Sequence, residues 1–181
     1  DYLSFAQTIQ EAINKGDEPG LMEDYKTRAL NQNKELSDYS SWNNFAGFSA
    51  RFSIFENMET LDAEWDNAKK EIRNTLTEDS YSEKLQDFMK SKDMLEKDYE
   101  HLMTYFTFRY ILNSVYDSNI ISYARLAVLF TLMIRDMDVV RYHLNGNHYT
   151  LSDRIDVARI FSKEVEHSED NVEYAREEIM F

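Results

Sequence analysis

The chain has no cysteine anywhere in its 181 residues. That excludes disulfides, thiolate zinc sites, cysteine nucleophiles and cysteine-ligated iron–sulfur clusters within it, and it fits a reducing compartment. Proline occurs once, at 19, and glycine only at 16, 20, 47 and 146. Such scarcity argues against many-stranded sheets and for long helices with short connections. Basic charge is short as well: 20 Lys and Arg face 34 Asp and Glu, a net charge of −14. Nucleic-acid binding leaves a basic patch, and none stands out, so neither nucleic acid nor an anionic membrane is an expected partner. The acidity reads either as a solvated surface or as a preference for a basic, lysine-bearing partner. No basic n-region opens DYLSFAQTIQEA, so no secretory signal is expected and the expected location is cytoplasmic.

What is present is helical periodicity. The longest near-continuous apolar run, Leu126 to Ile134, is broken only by Thr131 and bracketed by Arg125 and Arg135. A membrane span needs ~20 mostly apolar residues, so this run reads as a central core helix, apolar on every face. Upstream, Leu102, Phe106 and Tyr110 make one stripe, and Phe108, Ile111, Leu112 and Val115 make a second. Asp117-Ser118-Asn119 is a stop and restart signal, since short polar side chains favour turns and N-caps. The expectation is a buried antiparallel hairpin over 95–142.

The other elements follow in order. Tyr2, Phe5, Ile9, Ala12 and Ile13 form a stripe that ends at Gly16–Gly20, and Met22, Tyr25, Ala29 and Leu30 form another. Ser37 or Asp38 can cap a helix in which Phe45, Phe48, Phe52 and Phe55 line the core. Leu61, Trp65, Ala68, Ile72 and Leu76 give the next helix. Ser80-Tyr-Ser-Glu83 has the form of a capping box and opens a pattern through Leu85, Phe88, Leu95 and Tyr99, with a break near Ser91. Asn145-Gly146-Asn147 is a turn. Thr150 or Ser152 caps a helix through Ile155, Ala158, Phe161 and Val165, and Ser168 caps the last one. The chain, 1–181, reads as one all-α domain of seven or eight helices around the hairpin.

Chemistry is harder to find. A strand, glycine-rich turn and helix that would hold a methyl donor is absent, because Gly16 and Gly20 follow a helical pattern; no P-loop or nucleophile elbow occurs either. Asp98-x-x-His101 and Glu164-x-x-His167 could each face a metal from one helix side, but no further ligands suggest themselves, and no metal is expected. Asp98, His101, Tyr105 and Arg109 share one helix face, and Arg135, Asp138 and Tyr142 share another. They read as an inter-helix ion-pair lock or as a polar pocket.

The segments Tyr99–Asp117 (YEHLMTYFTFRYILNSVYD), Leu126–Asp138 and Phe161–Asn171 (FSKEVEHSEDN) resemble the C-terminal part of the flagellin lysine-N-methylase family, most closely over about 95–172; residues 3–76 are similar in pattern only. The resemblance implies the C-terminal helical domain of a longer bacterial protein that carries a cysteine cluster with an iron–sulfur centre in its N-terminal region. It implies methyl transfer from S-adenosylmethionine to flagellin lysines, with this region supplying substrate docking or part of the site and the fragment alone inactive. The chain departs from the family by having no cysteine, so no cofactor is expected within it. No catalytic residue is implied here. The matching polar positions are Tyr99, Glu100, His101, Tyr105, Arg109, Tyr116, Asp117, Arg135, Asp138, Ser162, Glu164, Glu166, His167, Ser168 and Asn171, and they are candidates for a family-specific site or interface. The alternative is a non-catalytic helical interaction module. One spatial expectation follows from charge: Arg109, set among apolar residues, needs an acid from the Glu164–His167 segment, while Arg135 should approach His101 and Asp98.

Overall fold

The computed structural model describes residues 2–16, 42–94 and 96–179. Its elements are α1 (Tyr2–Lys15), α2 (Phe45–Asn57), α3 (Ala63–Thr75), α4 (Tyr81–Lys90), α5 (Glu96–Tyr110), a 3₁₀ turn (Ile111–Asn113), α6 (Ser114–Asp117), α7 (Ile120–Leu144), α8 (Leu151–Phe161), a π-helical turn (Ser162–Glu166) and α9 (Glu169–Glu178). Eight of these are helices of ten residues or more, and the described residues contain no strand, so the domain is all-α. The stripe Met22–Leu30 and the proposed caps Ser37 and Asp38 lie outside the described residues.

α7 is the hub. Its 25 residues run through the middle of the molecule, and α1, α2, α3, α4, α5, α8 and α9 all pack on it. Side chains are buried on every side of it, from Ser122 and Ala124 to Tyr142, as its unbroken apolar sequence requires. α5 lies antiparallel along it: Tyr99 meets Asp138, Met103 meets Thr131, and Phe106 stacks edge-on to Phe130 with ring centroids 5.4 Å apart. Phe130, Phe106, Phe161 and Phe55 form one aromatic centre, each ring within 6.4 Å of another. Phe48, Phe52 and Phe55 are buried on α2, and Trp65, Ala68 and Ile72 on α3.

Several expectations change. Only the α7 arm of the 95–142 hairpin is buried on every side; the α5 arm is buried on one face. On α5, Phe106 and Tyr110 point inward, but the second stripe faces solvent, with Phe108 76%, Leu112 69% and Val115 77% exposed. One face of α5 suffices to cover α7, and no described element covers the other. Ser80 makes no capping bond to α4; its hydroxyl donates to the Thr75 carbonyl at 3.2 Å, which closes the α3–α4 turn instead. The aromatic helix α2 starts with Asn44, whose side chain accepts from Gly47 N–H at 2.8 Å. In α8 the inward residues are Val157, Ile160 and, as expected, Phe161, while Ile155 is exposed. Other signals match the observed ends. Ser118 adopts the left-handed conformation after α6 and Asn119 caps α7; Thr150 and Asp153 form a reciprocal capping box; Ser168 caps α9. Gly146 turns the chain at φ +66° between α7 and α8.

Candidate functional site

The candidate residues fall into four places rather than one. The first is a cleft between the end of α5, the start of α7, the π turn and α9. Arg109, Tyr110, Asn113, Tyr123, Glu166, His167, Glu169, Val172, Glu173 and Arg176 enclose about 540 Å³, within the range of ligand pockets. Arg109 Nε lies 3.3 Å from Glu166 Oε2, and the Tyr105 hydroxyl donates to that oxygen at 2.7 Å. Desolvation, then that hydrogen bond, pushes the Tyr105 hydroxyl up to about 12. So the acid that Arg109 finds is Glu166, two residues beyond Glu164. On the opposite wall, Arg176 reaches Asp117 Oδ2 at 3.3 Å and also pairs with Glu173, and the Tyr123 hydroxyl donates to Asp117 at 3.2 Å. The two guanidiniums lie over tyrosine faces, Arg109 at 5.6 Å from the Tyr110 centroid and Arg176 at 5.3 Å from Tyr123. Four carboxylates (Asp117, Glu166, Glu169, Glu173) against two guanidiniums leave two negative charges in surplus around aromatic rings that already accept cations.

The π turn explains why Glu164 and His167 part company. A π turn holds an extra residue per hydrogen bond, and here Glu164 and Val165 turn inward while His167 stays exposed at the cleft. Glu164 Oε2 accepts the Leu61 N–H at 2.9 Å, and Oε1 has no hydrogen-bond partner among the described residues. Asn171 reinforces the same seam: it bonds both N–H and C=O of Glu59 at 3.0 Å and the Glu164 carbonyl at 2.8 Å. Glu164 and Asn171 therefore anchor the 58–62 loop to the π turn.

The third place is a buried carboxyl. Asp138 accepts from Tyr99 at 2.7 Å and from Tyr149, while Asp98 pairs with Arg154 at 2.9 Å beside it. Burial raises the Asp138 carboxyl to about 7, against the opposing pull of the two tyrosine hydroxyls. Burial likewise pushes both hydroxyls well up.

The fourth corrects the expectation for Arg135. Among the described residues it forms no ion pair with Asp98 and no hydrogen bond with His101. It turns toward α2 and α4, where Arg51 donates from Nε to Asp136 Oδ2 at 2.6 Å and from Nη2 to the Tyr81 hydroxyl at 2.6 Å, and Arg135 lies 3.3 Å from Asp136 Oδ1. Arg135 also donates to Asn43 at 2.7 Å, but its Nε finds no partner among the described residues. Two buried guanidiniums share one buried carboxylate. A signal existed: Arg51 stands inside the Phe48–Phe55 stripe, where a charge demands a counter-ion. Tyr142, one turn beyond Asp138 on α7, packs its ring on Phe88 with centroids 5.3 Å apart. Glu100 and His101 are exposed on α5, and no cluster of three metal-ligating side chains occurs among the described residues.

An iron–sulfur cluster needs thiolates, and the chain has none. The described residues offer no glycine-rich turn between a strand and a helix for S-adenosylmethionine. No helix among them is long and apolar enough to cross a membrane. No curated protein matches the chain, and no solved structure does. The family model for the C-terminal domain of FliB lysine N-methylase matches over residues 2–181. An all-helical chain, matched to that model along nearly its whole length, belongs to the FliB lysine N-methylase C-terminal domain family.

Proposed function

We propose that this chain is the substrate-docking part of a protein-lysine N-methylase, and that flagellin is the protein it docks. The observation that carries the reading is the cleft, where an acid surplus surrounds the rings of Tyr110 and Tyr123. A lysine ammonium is attracted by surplus carboxylates and by a ring face together. S-adenosylmethionine supplies the methyl group when bound, and we place its binding, with that of the cluster, outside this chain. Within this chain Glu166, held by Tyr105 and Arg109, and Glu169 and Glu173 orient the incoming side chain. Association with a basic partner is steered by the overall charge of −14.

The test is a titration of isotope-labelled chain with a lysine-bearing flagellin peptide. Amide shifts at Tyr110, Tyr123, Glu166 and Arg176 are expected, weakening as salt is raised. The same peptide with its lysines acetylated should leave those amides unmoved. Equal binding by both peptides would remove the lysine reading.

A further inference from the structure

The face of α5 that no described element covers, with the two turns after it, carries a pattern of its own. Tyr105 and Phe108 on α5, Leu112 in the 3₁₀ turn and Val115 on α6 recur at i, i+3, i+7 and i+10, and all four side chains face solvent. The four are 46–77% exposed, and Tyr116 beside them is 91% exposed. Exposed large apolar side chains scattered singly are ordinary, but a contiguous row marks an interaction surface. The row adjoins the cleft, because Arg109 and Asn113, each one residue further round the same helical segment, form the cleft's wall. Tyr105 belongs to both, with its ring in the row and its hydroxyl on Glu166.

We propose that this row seats an amphipathic helix of the substrate protein, and that the helix carries the lysine which enters the cleft. This rests on the lysine-docking reading and adds the form in which the lysine is presented. Charge selects the occupant: beside the row stand the surplus acids of the cleft, so the guest helix has an apolar stripe with basic residues along one flank. A second copy of this chain, at −14, is repelled. A stable self-dimer also engages ~20–30 residues a side, and five side chains fall short of that. The docked helix lies along the end of α5 and the two turns after it, its apolar side chains between Phe108, Leu112 and Val115, and one lysine reaches round toward the cleft acids Glu169 and Glu173.

The experiment uses the 181-residue chain and two synthetic lysine peptides of equal composition. One places leucines on a single helical face with lysines beside them; the other scatters the leucines. Affinity is read by calorimetry and helicity by circular dichroism. The faced peptide should bind more tightly, gain helicity on binding, and lose roughly tenfold in affinity to the Phe108→Ser/Leu112→Ser chain. Those side chains are exposed, so the variant's thermal midpoint should stay with the parent's. Equal affinity for the two peptides, unaffected by the double substitution, overturns the helix while leaving the lysine reading intact. Unchanged binding when norleucine replaces every lysine overturns the lysine reading itself. A concentration-dependent dimer abolished by Phe108→Ser/Leu112→Ser would make the row a self-interface and overturn the proposal.

Discussion

The Tyr99 hydroxyl, from the first turn of α5, donates to Asp138 Oδ2 at 2.7 Å and so ties that turn to the far part of α7. Tyr149 donates to the other oxygen. Burial nevertheless dominates and lifts the carboxyl from 3.8 to about 7. Between these values the folded chain holds a proton that the unfolded chain has lost, so this group's contribution to stability is full below about pH 4 and is lost as the pH rises through about 7. Asp138→Asn should therefore show a shallower fall in urea midpoint between pH 5 and pH 7.5 than the parent chain. Parallel curves for the two proteins would refute the assignment.

Arg109 and Glu166 form a single contact pair, so their substitutions should not add. Arg109 is about a third exposed, with side-chain exposure of 36% against 6% for Glu166, so solvent screens the pair and the coupling should be on the order of 0.5–1 kcal/mol. Arg109→Leu combined with Glu164→Gln should be additive, because Glu164 bonds the Leu61 N–H instead. A double-mutant cycle by urea denaturation separates the two pairs.

Asp136 is the only counter-charge within ion-pair distance of the buried guanidiniums of Arg51 and Arg135 among the described residues. Asp136→Asn should destabilise by ~3–5 kcal/mol, since it leaves buried charge unpaired. Arg135→Leu should cost less than Arg51→Leu, because Arg51 makes the short bonds to Asp136 and Tyr81. Denaturant unfolding of the three variants tests the order; Arg135→Leu as the worst of them would place the charge balance elsewhere.

Glu164 is buried, and one of its oxygens meets no donor among the described residues. Glu164→Gln keeps an oxygen for the Leu61 N–H and removes the buried charge, so stability should hold or rise by ~1 kcal/mol. Glu164→Ala removes the acceptor and leaves a void, and should cost ~2–3 kcal/mol. Thermal melts suffice; a Glu164→Gln loss as large as that of Glu164→Ala would show that the charge itself is needed for folding.

Much of the fold was legible because periodicity and capping are local. Trp65, Ala68 and Ile72 declare an inward face within one helix, and Asn119, Thr150 and Ser168 mark helix starts from a few neighbouring residues. The exposed side of α5 was not legible, since Phe108 and Leu112 look apolar whether or not another helix covers them. The candidate site was legible only in part. The need of Arg109 for an acid followed from its apolar neighbours, but the choice of Glu166 over Glu164 depends on the π turn, which no side-chain pattern announces. The Arg51–Asp136 pair joins residues 85 apart in sequence. Charge balance demanded some partner for Arg51, and only the packing of α2 on α7 named it.

Since α7 receives both α1, near the start of the chain, and α9, near its end, the two ends share one structural support. Loosening either end exposes apolar surface on the same central rod. Opening should then be all-or-none rather than piecemeal, with calorimetric and van't Hoff enthalpies in agreement. The amides of Ala127 to Val140 should be the last to exchange with solvent, and a chain cut between α4 and α5 should yield two halves that are each unfolded alone.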